Sequence, residues 1–256
     1  MDDIVFDYCL STFVPIMVYW IFDGIYTLLG KVDKYRLHTT EEVDLKNSVT
    51  RKQVYTGALL QQLCQATVSM TLFLLGDDRV AAEGKRGKPW TVIGAQFVIA
   101  FFILDSTQFF IHIFLHKNKY LYRVFHSWHH RLISPFAAGT QYNQPIDGLL
   151  VETLPGILAY LVSGMSPRTS AVFYSFAFVK AMDDHSGLWI PWNPFHALLK
   201  NNVAYHEIHH RMGVYNHGQT FLTVWDKMFG TFMNYNVVKR EDGGYEVRMA
   251  KDFVVD

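Results

Sequence analysis

Cysteine is nearly absent: Cys9 and Cys64 are the only two in 256 residues, and each sits in an apolar stretch. Two such residues provide neither a disulfide framework nor a thiolate metal site. Charge is scarce too, at 18% of residues, and 23 Lys and Arg balance 23 Asp and Glu. That balance leaves no global basic surface of the kind nucleic acid requires. The opening segment MDDIVFDYCL is acidic and lacks the basic region of a secretory signal, so membrane insertion is expected to use segments that stay in the mature chain. Neither a repeat nor a low-complexity tract is present, apart from clustered histidines. What the chain does have is apolar: half the residues are hydrophobic and 16% aromatic, a composition of membrane proteins.

Long uncharged runs organise the first half. Residues 10–30 are apolar except for Asp23, residues 54–76 carry no charge, and residues 90–115 contain one carboxylate, Asp105. About 20 apolar residues span a hydrocarbon core, so these runs predict three transmembrane helices. Residues 149–165 and 169–179 are shorter, and SGMSPR between them is a turn signal, which predicts a helical hairpin. The expected architecture is an all-α integral membrane protein: three transmembrane helices, a hairpin and a histidine-rich helical cap. REDGGYEV (240–247) reads as a turn between short extended pieces. Three crossings put the loop 31–53 on the histidine side. It carries Lys31, Lys34, Arg36, Lys46, Arg51 and Lys52, against Arg79, Lys85, Arg86 and Lys88 in the opposite loop. Positive-inside logic places that side in the cytosol.

Twelve histidines are the compositional oddity. They form the boxes HIFLH (His112, His116), HSWHH (His126, His129, His130) and HEIHH (His206, His209, His210), with His185 alone in DDHSG. Residues three and four apart share a helical face, so each box is expected to present its imidazoles to one point. Two HxxHH patterns arise by chance roughly once in a few thousand such sequences. One catalytic zinc takes three protein ligands, so eight or nine imidazoles exceed a mononuclear site and predict two metal ions. Imidazole suits iron, zinc, copper and nickel alike. Boxes at the end of an intramembrane helix, where a lipid chain with no hydrolysable bond would meet them, favour iron and O₂ chemistry. Two other readings compete. HEIHH also reads as H-E-x-x-H, a zinc protease with Glu207 as general base, which leaves the first two boxes unexplained. A metal transporter would string histidines across the spans, whereas seven of the nine lie outside the apolar runs.

The boxes and their surroundings, YLYRVFHSWHH, DDHSG and WDKMFGTF, resemble the fatty acid hydroxylase (sterol desaturase-like) superfamily over roughly residues 95–235. Residues 1–94 would then be the N-terminal transmembrane part and 236–256 a cytosolic tail. KAMDDHSGLWIPWNP and YHEIHHRMGVYNHGQTF are similar to the sphingoid base hydroxylases of plants. The resemblance implies a non-haem di-iron monooxygenase of the endoplasmic reticulum membrane, using O₂ and electrons from NAD(P)H through a cytochrome b-type carrier and its reductase. The implied substrate is sphinganine or dihydroceramide, hydroxylated at carbon 4, with other sphingolipid enzymes as neighbours; sterol and fatty-acid hydroxylases or desaturases are the nearest alternatives. The implied ligands are His112, His116, His126, His129, His130, His185, His206, His209 and His210. Some relatives carry a further histidine four residues past His185, where this chain has Trp189.

Around the boxes, Asp105, Asp184 and Glu207 are candidates for orienting a ligand imidazole or the substrate head, with Asp183 beside them. Helix-bundle glue is the competing role for Asp105. His217 is a candidate ligand or substrate contact, with an ordinary loop histidine as the alternative. Asp23 and Glu152 are expected near membrane interfaces. Lys117, Lys119, Arg123, Arg131 and Arg211 suit anionic headgroups or an acidic electron donor.

Overall fold

The first apolar run folds as one long helix, α1 (Asp2–Leu29), continuous through Pro15. The computed structural model describes residues 2–75, 88–241 and 243–250; Arg79, Lys85 and Arg86 of the charge comparison lie outside the described residues. Two capping boxes start the next helices. Thr39 and Glu42 open α2 (Thr40–Lys46), and Thr50 and Gln53 open α3 (Arg51–Leu74), each pair satisfying orphan backbone donors reciprocally. The third apolar run is α4 (Trp90–Lys117). Asn118 ends it and caps a short α5 (Lys119–Val124) by accepting from the amides of Tyr120 and Leu121.

The hairpin forms where SGMSPR predicts it. Its first arm is α6 (Pro145–Gly148), a π-helical turn (Leu149–Thr153) and α7 (Leu154–Ser163). Gly164 takes a left-handed φ of 64°, and Ser166 caps the returning arm, α8 (Pro167–His185). Short α9 (Pro194–Leu198), then α10 (Val203–Met212) and α11 (Val224–Phe229), follow. The extended pieces expected around 240–247 pair as an antiparallel ribbon, β1 (Tyr235–Lys239) with β2 (Tyr245–Met249). The fold is therefore mostly helical with one ribbon, and Val247 and Met249 pack on Val203, Ala204 and Ile208 of α10.

Among the described residues, three helical segments are long and apolar enough to cross a membrane: Val5–Leu29, Trp90–Lys117 and Pro145–Ser163. The expected span at 54–76 is a helix of sufficient length but does not join them. An uncharged run need not be an apolar one: Gln61 and Gln62 are buried inside the bundle rather than replaced by aliphatics. Phe13, Met17 and Ile21 of α1, and Val98, Phe102 and Phe110 of α4, stay exposed, as lipid-facing side chains do.

Between helices in lipid the hydrophobic effect gives little, so polar contacts and close packing hold them. Tyr26 donates to Asp183 at 2.9 Å, joining α1 to α8, the helix it packs against most extensively. Tyr55 donates to Asp23 at 3.2 Å, and Thr12 meets Ser69 at 2.6 Å. The loop after α1 packs against the histidine-bearing segments. Leu37 N donates to Gly187 O at 2.9 Å, and Ser134 N to Asn47 Oδ1 at 2.9 Å. Loop and boxes thus share one end of the bundle.

Candidate metal centre

The site is assembled from four places. α4 holds His112 and His116 one turn apart on its inner face. His126, His129 and His130 follow on a 3₁₀ turn (His126–Arg131), α8 ends on His185, and α10 carries His206, His209 and His210. The nine gather into two groups rather than one point per box. The first contains His112, His116, His126, His130 and His209; the second contains His129, His185, His206 and His210. Within each group the donor atoms lie within 4.8 Å of one another.

The expectation that each box converges on one point is thus corrected. In each HxxHH box the outer two histidines serve one group and the middle one serves the other. The 3₁₀ turn eclipses residues three apart, so His126 and His129 stack with centroids 5.7 Å apart and then face different groups. On α10, His206 and His209 repeat this at 5.6 Å. Each HxxHH box is shared, so the groups interlock, while His112 and His116 both serve the first.

The donor set fits metal ions. In the first group the Nε2 atoms of His112, His126, His130 and His116 close a ring with edges of 3.0, 3.2, 3.1 and 3.1 Å. In the second, His129, His185, His206 and His210 form a chain of Nε2 contacts at 3.2, 3.1 and 3.1 Å. A carbonyl or carboxylate can only accept, so a ring nitrogen facing one carries the proton. His112 Nδ1 faces His217 O at 2.8 Å, and His126 Nδ1 faces Asp147 at 2.9 Å. Their Nε2 atoms then meet at 3.0 Å as two lone pairs with no proton between, an arrangement that a cation relieves. Two imidazoles at right angles around an ion about 2.1 Å away would show nearly that spacing. His209 Nε2, buried in the first group, has no hydrogen-bond partner among the described residues.

Burial, reinforced by neighbouring imidazoles, holds His129, His130, His206, His209 and His210 well below the usual imidazole range. They are neutral, the state that ligates metals. His217 is pulled down to about 4, burial outweighing the nearby Asp226. It stands outside both groups. Its ring lies 5.0 Å from that of His116, and its carbonyl orients His112. Asp226 fixes this loop, accepting from His217 N and Gly218 N at 2.8 Å each and from Tyr205.

The candidate carboxylates behave differently from expectation. Asp105 makes no hydrogen bond to an imidazole among the described residues; it accepts from Phe221 N and Leu222 N at 2.7 and 3.1 Å, tethering the loop beyond His217. Asp184 pairs with buried Lys180 at 2.6 Å, and Asp183 takes Tyr26 and Asn193. Glu207 receives His38 Nε2 at 2.7 Å and so is committed to the loop after α1. Trp189 stacks on His196 at 4.8 Å and joins neither group. Asp147, which sequence reasoning missed, is the carboxylate that holds an imidazole of the two groups, that of His126; the only local signal was a Pro-initiated helix, QPIDG. Glu152 accepts from the side-chain amides of Gln65 and Asn143 at 2.9 and 2.6 Å.

A cavity of about 210 Å³ reaches His126, His129 and His185. Leu104, Val151, Ile157 and Phe178 line it, and it extends between α1 and α3 as far as Tyr8 and Leu72.

Residues 97–231 match the fatty acid hydroxylase family. The chain is 48% identical to sphinganine C4-monooxygenase 1 of Arabidopsis thaliana, over 98% of this chain and 97% of that one. It is 46% identical to a very-long-chain aldehyde decarbonylase of Oryza sativa, over 96% of each chain. It is 33% identical to the sphingolipid C4-hydroxylase of Schizosaccharomyces pombe, over 88% of each. No solved structure matches. With its histidines gathered at the end of a membrane helix and the family match spanning all four places they come from, the chain belongs to the fatty acid hydroxylase family.

Proposed function

We propose that this chain is a membrane di-iron monooxygenase that hydroxylates carbon 4 of a long-chain sphingoid base. The observation that carries the reading is the pair of interlocked imidazole groups opening onto a largely apolar cavity between membrane helices. The names of the Arabidopsis and Schizosaccharomyces relatives supply the substrate class. His112, His116, His126, His130 and His209 would hold one iron, and His129, His185, His206 and His210 the other. Bound there, the irons would supply the O₂-activating redox chemistry that an unactivated C–H bond demands.

The overall change inserts one oxygen atom of O₂ into the C4–H bond and releases the other as water. Two electrons come from NAD(P)H through a cytochrome b-type carrier and its reductase, and two protons are taken up. The protein's part is positioning. Leu104, Val151, Ile157 and Phe178 would hold the alkyl chain and exclude water, so that placement selects the carbon. Asp147 and the carbonyls of Tyr142, His217 and Tyr215 keep Nδ1 protonated and Nε2 free on His126, His129, His112 and His209. The protein would reside in the endoplasmic reticulum membrane with the boxes toward the cytosol. The basic loop 31–53 packed at the same end supports that orientation. Glu207, engaged with His38, supports the oxygenase over the zinc protease reading.

A second reading takes its support from the rice relative: a long-chain aldehyde as substrate. Membranes containing the protein, supplied with NADPH and either sphinganine or a long-chain aldehyde, decide between them by mass spectrometry. A 4-hydroxylated base and two irons per purified chain are expected. Aldehyde consumption with no hydroxylated base would overturn the assignment.

A further inference from the structure

A substrate held only by its tail could slide, and carbon 4 would not be singled out. Something in the cavity must fix the other end. Among the described residues, Glu152 is the one carboxylate on the cavity wall, and no lysine or arginine stands there. It is set on the π-helical turn Leu149–Thr153, a local widening that recurs at functional sites. Three neutral amides serve it. Asn143 Nδ2 donates to Oε1 at 2.6 Å, Gln65 Nε2 donates to Oε2 at 2.9 Å, and Gln141 Nε2 also donates to Oε2. A carboxylate offers about four acceptor sites, so one remains.

Donors on both oxygens suit the ionised form, and amides offset part of the cost of holding a charge away from water. They do not neutralise it. A buried negative charge with no cation opposite is expensive, and the wall supplies none. A cation that enters with the ligand would supply that partner. The position is also right for the chemistry. Glu152's partner Asn143 directly follows Tyr142, whose carbonyl faces His129 Nδ1 at 3.3 Å, and His126 and His129 border the same cavity. In a sphingoid base the amino group is on carbon 2, two carbons from the one hydroxylated. A group that grips the ammonium must therefore sit close to the histidines.

We infer that Glu152 is the positioning residue for the ammonium of a free sphingoid base, and that the cavity selects the free base over its N-acylated form. An N-acyl group converts the ammonium to a neutral amide, which forfeits the charge-assisted bond and leaves the carboxylate uncompensated. The identity of the head group rests on the proposed function; the existence of a cation site in the cavity does not.

The test separates the two. Purified protein in neutral detergent is titrated with octadecylamine, octadecanol, sphinganine and N-acetylsphinganine, read by displacement of a fluorescent fatty probe. The wild-type protein is expected to bind each amine at least tenfold more tightly than its neutral counterpart. Glu152→Gln should erase that preference with metal content unchanged, and Glu152→Asp should retain most of it. In turnover, Glu152→Gln should raise KM for sphinganine more than it lowers kcat. A wild-type protein without amine preference, or a preference that survives in Glu152→Gln, overturns the inference. Amine preference lost in Glu152→Gln, together with no hydroxylation of sphinganine by the wild type, supports the cation site and sinks the proposed reaction instead.

Discussion

The two histidine groups are built from the same residue type but are anchored differently. The first has five imidazoles, and one of them, His126, leans on the fully buried carboxylate of Asp147. The second has four, and its outer contacts are the carbonyls of Tyr142 and Ala181; the Nδ1 atoms of His206 and His210 have no partner among the described residues. A carboxylate behind an imidazole raises its basicity, and a carbonyl does so less. The first site would therefore bind its ion more strongly, and the second, with one imidazole fewer, would hold its ion more weakly.

The sharpest way to break that comparison is to remove the residue each box lends to the other's group. His209→Ala should deplete the first site and His129→Ala the second, each with activity down roughly 100-fold or more, since even outer partners of ligands are worth 10–100-fold. Metal analysis of the purified variants checks this; equal loss of both ions from either variant would show one indivisible unit. Asp147→Asn acts only on the first site and should weaken its ion by roughly 10–100-fold. Chelator titration should then lose the difference between an early and a late phase.

Acid should act on the metal-free protein next. His129, His130, His206, His209 and His210 have folded-state values well below the ordinary range, and His217 lies at about 4. The unfolded chain then binds more protons below about pH 6.5, so stability falls as pH drops through that value and is fully present above it. The loss is up to about 1.4 kcal/mol per histidine per pH unit. Thermal unfolding of apo protein from pH 7.5 to 5.5 should show it, and a flat profile would contradict neutral buried imidazoles. The smallest effect is expected of Glu207→Gln: about 1–2 kcal/mol of stability from the weakened His38 bond, with both ions retained and activity within a few-fold. Complete inactivation with metals intact would restore the zinc-hydrolase reading.

The boxes, the α4 spacing, the hairpin turn and the final ribbon were legible because each depends on residues close in the chain. What was not legible depends on winding or distant partners. HSWHH is identical in pattern to HEIHH, yet one winds as 3₁₀ and the other as α, and nothing local says that both will divide between two groups. Asp147 lies 21 residues past His126 with no periodicity to join them. Asp105 sits on the helical face of His112 but is used by the amides of Phe221 and Leu222, more than a hundred residues on. Asp184 is beside His185 in sequence, but on a helix neighbours point apart, and Lys180 one turn back claims it. In the second apolar run, counting charges missed what Gln61 and Gln62 do to apolarity.

The interlocking of the boxes also bears on how the protein is made. Neither group can be completed until α10 has left the ribosome, because His209 closes the first and His206 and His210 close the second. Until then the chain holds α4 and the 3₁₀ turn as an open, partial cradle. An ion captured at completion would tie α4 to α10 across nearly a hundred intervening residues, as a cross-link does, and the entropy of so long a loop makes such a tie effective. Metal supply would then bear on assembly: a chain finished without an ion would have α4 and α10 joined by packing and hydrogen bonds alone.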